Sequence, residues 1–571
     1  MPSGPDTTTA SGIEGERPDE AAPSVTEAPP AGTGAGAASR RPGRPRRLVG
    51  GARRHWRAGV AAAVAGLGLA LAFPPFDLWP LSVPAVAAFS LLTHGRTGRQ
   101  GAWLGLAFGW PFFLLLLSWL RVIGWDVTVG LALVESLFVA VLGAALARAS
   151  RLRLWPLWTA CLWVAQEWAR DRIPFGGFPW GRLAFANTSS PFTPLAALGG
   201  APLVTFAVAL SGALLAWAAP RLLAGRREAA SAAPGRAEGA PRAQLPALGA
   251  VGLSAAIAAA GYAVPVPTGA DDTVSVAVVQ GNVQQPGMDF LGRPMLILNN
   301  HVEATLDLAA DIEAGRVERP DLVIWPENAS DLDPFQSDEA RAAIERAVRA
   351  VGVPILVGAL VDHPTEDGYV ENQGIVWDPE TGPGASYTKQ HPVPFGEYVP
   401  FREQLSTFIS RLERVPRDFY PGDSTGVLDV GPARLGDVIC FEVAYDGIVR
   451  DTVNDGARAL VVQTNNATYG NTGQPEQQLA MSQLRAVEHG RAVVTAATSG
   501  ISAIVAPDGR IEQRTEEFTQ DVLTAELPLR DGRTVADRVG AAPEWALAGL
   551  GLVAWVLVVV RDRRERRARR G

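Results

Sequence analysis

The sequence predicts an α-helical membrane domain of about eight spans, joined to one α/β domain inserted before the last span. Three observations predict it. Eight apolar runs divide into seven upstream and one downstream of a long, less apolar block. Within that block, residues 265–540, short β-branched runs alternate with amphipathic stretches, the pattern of an α/β domain. Arginines crowd beside alternate ends of the apolar runs, as orientation in a bilayer requires.

In chain order, residues 1–56 read as a disordered tail, poor in large apolar residues and basic at its end. The apolar runs follow at about 58–73, 78–93, 101–120, 127–147, 154–169, 198–219 and 245–263, giving a seven-span domain over 57–264. The eighth lies within 541–560 and is closed by a basic tail, 561–571. With the N-terminus cytoplasmic, the inside segments hold 25 arginines and the short outside loops 4. That bias places both termini in the cytoplasm and residues 265–540 outside it. Within 265–540, strands are expected at 274–280, 321–325, 354–359, 373–377, 434–440, 458–463, 492–497 and 501–505. Helices are expected near 295–315, 337–351, 444–454 and 476–489.

Composition narrows the chemistry. Residues 265–540 hold 42 Asp and Glu against 21 Arg and Lys, which argues against a nucleic-acid partner, since phosphate binding needs a concentrated positive face. Mean hydropathy is +0.11 with 16 Trp, in keeping with a lipid bilayer as a partner. The two cysteines, Cys161 in an apolar run and Cys440 in the acidic block, make no disulfide framework, and Cys161 reads as a packing residue. No His/Cys spacing suits zinc, so neither a metal nor a cofactor is expected.

Only one of the 51 basic residues is a lysine, Lys389. Its compact ammonium with a tunable pKa is not interchangeable with a guanidinium. Two other polar residues sit at strand ends, where an α/β domain places its catalytic groups: Glu327 in WPEN (325–328) and Cys440 at the end of RLGDVIC. A thiol nucleophile needs a base for its proton and a cation for the thiolate and the oxyanion. A carboxylate, an ammonium and a thiol meet those needs without histidine.

Together these residues resemble the Glu-Lys-Cys triad of the nitrilase (carbon–nitrogen hydrolase) superfamily, with Lys389 62 residues after Glu327 and Cys440 51 further on. The resemblance implies an α-β-β-α sandwich, with Glu327 as base, Lys389 stabilising the tetrahedral intermediate and Cys440 as nucleophile. It also implies Glu397 as a second glutamate supporting the lysine, and Phe441 and Glu442 as neighbours of the nucleophile. The apolar helices narrow the match. EWARDRIPFGGFPW (167–180), VVQGNV (278–283), WPEN, VPFGEYVP (393–400) and ICFE (439–442) are similar to motifs of the apolipoprotein N-acyltransferase family. Phe441 stands where many members have Tyr, Thr468-Tyr469 where Trp-Phe is commoner, and 284–291 lack a Trp that some members use.

The resemblance implies a bacterial plasma-membrane enzyme that moves an acyl chain from a phospholipid to the N-terminal amine of a diacylglyceryl-modified apolipoprotein, through a thioester on Cys440. A monomer is expected. One alternative is a membrane-tethered amidase or nitrile hydrolase with water as acceptor. A transporter is another; it would use ionisable residues within the spans, for which Glu135 and Glu167 are the candidates.

Overall fold

The structure, a computed structural model, describes residues 44–231, 240–283, 294–405 and 415–568. Residues 1–43 of the expected tail and the stretch after QGNV that lacks Trp lie outside the described residues. Helices stand at each of the eight apolar runs: α1 (Arg44–Ala70), α2 (Ser82–Thr93), α3 (Gly98–Leu116), α4 (Trp125–Ala149), α5 (Trp155–Arg170), α6 (Ala196–Ser231) and α7 (Ala240–Ala260) before the α/β domain, and one after it. Among the described residues, four helical segments, 125–149, 193–227, 244–263 and 542–565, are long and apolar enough to cross a membrane. The others are shorter, or, like α3 with Pro111, less uniformly apolar. Local chemistry sets several ends. Thr97 and Gln100 form a reciprocal capping box at the start of α3, and Pro156 lies in the first turn of α5. Gly199 and Gly200 leave helical geometry and kink α6.

The α/β domain contains, in order, β1 (Asp272–Gln280), α8 (Pro294–Glu313), β2 (Leu322–Ile324), α9 (Asp338–Val351), β3 (Ile355–Asp362), β4 (Tyr369–Asp378), β5 (Gly382–Thr388), α10 (Arg402–Leu405), β6 (Asp418–Phe419), β7 (Val427–Val430) and β8 (Ala433–Ile439). It continues with α11 (Asp446–Asn454), β9 (Ala459–Thr464), α12 (Gln474–His489), β10 (Val493–Ala497), β11 (Ala503–Val505), β12 (Ile511–Arg514), β13 (Asp521–Leu529) and α13 (Val535–Val539), before the last apolar helix, α14 (Ala542–Ala568).

Its strands form two sheets, ordered β13-β1-β2-β3-β4-β5, with β6 beside β4, and β12-β11-β10-β9-β8-β7. The centre of each is parallel, β1-β2-β3 and β8-β9-β10, and the outer strands pair antiparallel except β6, which runs parallel to β4. Central parallel strands are covered on both faces, so β9 and β10 are buried at every residue, as continuous apolar runs predict. Val276, Val278, Ile324 and Leu356 of one sheet meet Leu435, Ile439, Val461 and Val494 of the other. Outside the first sheet lie α8 and α9. The latter buries Ala340, Ala343, Ile344, Ala347, Val348 and Val351 at helical spacing between the Ser337 cap and the left-handed Gly352. Outside the second, α11 and α12 place Val449, Val453, Leu479 and Leu484 in a core that continues into the apolar helices through Phe185, Phe192 and Val204. The result is the expected α-β-β-α sandwich, seated on the helical part.

Candidate active site

Glu327, Lys389 and Cys440 arrive from three strand ends. β2 stops at Ile324, and Trp325-Pro326 carry the chain to Glu327. Lys389 directly follows β5, an edge strand absent from the sequence-based expectation, which left this lysine in a loop after the strand near 375. β8 stops at Ile439, so Cys440 opens a short 3₁₀ turn, Cys440–Ala444, with φ of 54°. A non-glycine residue there is strained and persists where its surroundings over-determine it, as they do at functional sites.

The structure brings the predicted carboxylates to the ammonium. Lys389 Nζ donates to Glu327 Oε1 at 3.0 Å and to Glu397 Oε1 at 2.7 Å, with Lys389 1% exposed. Asn372, which the sequence reading missed, donates its amide to Glu327 Oε1 at 2.7 Å and to Glu397 Oε1 at 3.4 Å. The second oxygens are held by main chain: Glu327 Oε2 accepts from Asn465 N–H at 2.8 Å, and Glu397 Oε2 from Val393 N–H at 2.6 Å. Thr464 Oγ1, at the end of β9, donates to Cys440 Sγ at 3.4 Å. Glu442 joins the two loops: Oε1 accepts from Gln390 N–H at 2.7 Å and His391 N–H at 3.0 Å, and Oε2 from Ile439 N–H at 2.8 Å. Tyr387 O–H adds a bond at 3.0 Å.

Electrostatics assign protonation states. Burial disfavours the Lys389 ammonium, but the carboxylates of Glu327 and Glu397 outweigh it and hold the lysine well above its usual range. Burial, and then Glu327, push the Cys440 thiol up to about 12 against the opposing pull of Lys389. Burial raises Glu397 above the usual carboxylate range and Glu442 to about 6. Burial, then Lys389, lower His391 to about 4, leaving a neutral imidazole. The thiol is therefore protonated at rest, beside a fixed cation and an acceptor carboxylate.

The wall next to the nucleophile is shared with the helical part. Phe441 stacks on Phe178 (5.7 Å between centroids) and Trp180 (6.1 Å), both in the GFPW end of the 167–180 segment. Trp119 meets Trp180 at 5.6 Å and Tyr469 edge-on at 5.0 Å. Trp180 Nε1 donates to Gln477 Oε1 at 2.6 Å, and Gln477 donates onward to the carbonyls of Pro74 and Leu116 at 3.1 Å each. Glu135 is paired with Arg170 at 3.1 Å, and Glu167 accepts from Leu183 N–H at 2.9 Å and Thr205 Oγ1 at 2.8 Å. These two acids brace the loop that carries Phe178 and Trp180. Cys161 packs in α5, its carbonyl against Gly551 of α14.

Residues 65–214 match the family model of the apolipoprotein N-acyltransferase N-terminal domain, and residues 275–537 that of carbon–nitrogen hydrolases. The chain is 38% identical over 518 residues to an apolipoprotein N-acyltransferase of Mycolicibacterium smegmatis, across 88% of this chain and 85% of that one. It is 32% identical over 536 residues to one of Azotobacter vinelandii, across 90% and 97%. Among solved structures, a mutant of the Nesterenkonia AN1 amidase from the nitrilase superfamily aligns with 48% of this chain and 97% of its own, at 22% identity and a TM-score of 0.35.

Proposed function

Because the chain belongs to the apolipoprotein N-acyltransferase family, we propose that Glu327, Lys389 and Cys440 are the residues that carry its acyl transfer. The enzyme moves an acyl chain from a membrane phospholipid to the free α-amine of a diacylglyceryl-modified N-terminal cysteine, completing lipoprotein maturation. The observation that carries the residue assignment is the buried lysine held between two glutamates beside a strained cysteine.

The first half-reaction follows from the protonation states. With the thiol raised to about 12, proton loss to Glu327 accompanies attack of Sγ on the sn-1 ester carbonyl rather than preceding it. Negative charge develops on the carbonyl oxygen, where the Lys389 ammonium and the Phe441 backbone N–H would meet it. Collapse breaks the C–O bond; the leaving alkoxide takes the proton from Glu327 and departs as lysophospholipid. In the second half, the α-amine attacks the thioester carbon, Glu327 accepts the amine proton, and the C–S bond breaks to return the thiol. The α-amine's ordinary pKa of about 8 leaves it partly neutral outside the cell, as a nucleophile requires. Glu397 and Asn372 keep Lys389 and Glu327 in register, and Glu442 holds the lysine loop against the cysteine turn.

We further read all eight apolar helices as spans of a bacterial plasma membrane, with both termini cytoplasmic, residues 265–540 outside and the protein a monomer. Two clamps on α14 support the depth. Arg172 grips Glu544 at 2.7 Å between Trp168 and Trp545, while Arg148 and Arg151 approach Asp562 at 3.7 and 3.4 Å. Glu544 and Asp562 are 18 residues apart, a helical rise of about 27 Å, close to the hydrocarbon thickness of a bilayer. Both substrates are lipid-anchored, which is the reason for so much apolar helix. Replacing Cys440 with Ala should abolish N-acylation in cells that lack another copy, read by mass spectrometry of lipoprotein N-termini. A variant that still acylates would overturn the assignment.

A further inference from the structure

Asp437 lies in the middle of β8, on the face that meets the opposite sheet, flanked there by Leu435 and Ile439. It is fully buried, and among the described residues no side chain donates a hydrogen bond to either carboxyl oxygen; the one nearby donor is the Val438 backbone N–H. Gln463, two residues along the neighbouring strand from the position opposite Asp437, is also fully buried. Its Nε2 donates to the Trp325 carbonyl at 2.6 Å, while its Oε1 has no donor. Gly374 of β4 makes the space: a Cβ there would overlap both Asp437 Oδ2 and Gln463 Oε1, so the two oxygens converge on one spot.

Two acceptors therefore converge with no side-chain donor between them. The Gln463 amide cannot be turned to relieve this, because its oxygen would then stand 2.6 Å from the Trp325 carbonyl, which only accepts. Burying both oxygens unpaired forfeits their hydration with no hydrogen bond in return. A single proton removes the conflict. We propose that Asp437 is held as a neutral carboxylic acid that donates to Gln463 Oε1, and that through Gln463 it is a positioning residue for the base Glu327. Gln463 fixes the Trp325 carbonyl, two residues before Glu327, across the join between the sheets.

The surrounding charges agree. Burial, then the carboxylates of Glu442 and Glu327, outweigh the Val438 backbone N–H and hold the Asp437 carboxyl well above its usual range. The remaining ionisable neighbour, Tyr387, is itself held well above its ordinary value, by burial first and then by Glu442 and Asp437. Lys389 is committed to Glu327 and Glu397.

The inference rests on Glu327 being the base, but its first test does not. Infrared difference spectra of the detergent-solubilised full chain at pH 8, wild type against Asp437→Asn, should show a carboxylic-acid C=O band that the variant lacks. An ionised carboxylate signal in its place overturns the proposal, whatever reaction the enzyme performs. Asparagine supplies an N–H donor without needing a proton, whereas leucine leaves Gln463 unpaired. Asp437→Asn should keep kcat within about threefold, and Asp437→Leu should lose about tenfold or more in kcat with KM unchanged. Equal losses in the two variants, or a silent Asp437→Leu, would count against positioning by a donated hydrogen bond.

Discussion

Cys440 keeps its proton at rest because burial and the Glu327 carboxylate both disfavour a thiolate, and Lys389 offsets them only in part. At pH 8 a thiol with a pKa of about 12 is ionised to about one part in 10⁴. Raising the pH therefore exposes more thiolate throughout the accessible range. Alkylation of Cys440 by iodoacetamide should climb about tenfold per pH unit from pH 7 to 10 without levelling; a plateau near neutrality would indicate a preformed thiolate. At this scale the sequence was informative about residue types. The solitary Lys389 and the order of Glu327, Lys389 and Cys440 pointed to residues that do cluster. Asn372 was not legible, because a polar residue inside a strand does not name its partner, and this one binds two glutamates from different loops. Glu442 was legible as a neighbour of the cysteine, but its grip on the lysine loop depends on a fold-level contact.

Helices α3 and α4 approach at the level of their backbones. Gly101 and Gly105 of α3 leave room for the carbonyls of Gly143 and Val139 of α4, and a Cβ on either would overlap them. Small residues four apart permit such contact between apolar helices, where dispersion and close fit supply the association. Gly105→Leu should force the pair apart and cost about 1–3 kcal/mol, seen as a lower thermal midpoint in detergent; an unchanged midpoint would show that the contact contributes little. The stripe is plain in GAWLGLAFG once the partner helix is known, yet in the sequence it reads only as apolar filling. The central strands and α8, α9, α11 and α12 were visible for the opposite reason, since buried parallel strands and amphipathic helices carry their own periodicity. β5, β6, β7, β12 and β13 were missed. The first is a glycine-bearing edge strand and β12 is largely exposed, so neither carries an apolar run, and the pairing of β13 with β1 is set by a partner more than 240 residues away.

The whole molecule combines a helical part and a sandwich of opposite charge character. Among the described residues, hydropathy and length alone single out four helices able to cross a membrane, because α2 and α5 are short and α3 is less apolar along its length. The proposed orientation rests on the arginine bias, which those criteria do not use. Alkaline phosphatase fused within 265–540 should be active, and fused within 94–100 inactive; the reverse pattern would invert the topology. The aromatic contact between Phe441 and the pair Phe178 and Trp180 reaches further than wall-building. Because the residue after the nucleophile rests on a loop from the helical part, the two parts are not interchangeable modules. A chimera between relatives must inherit the 167–180 loop and the cysteine turn from the same parent, and a substitution on either side constrains what the other can later accept.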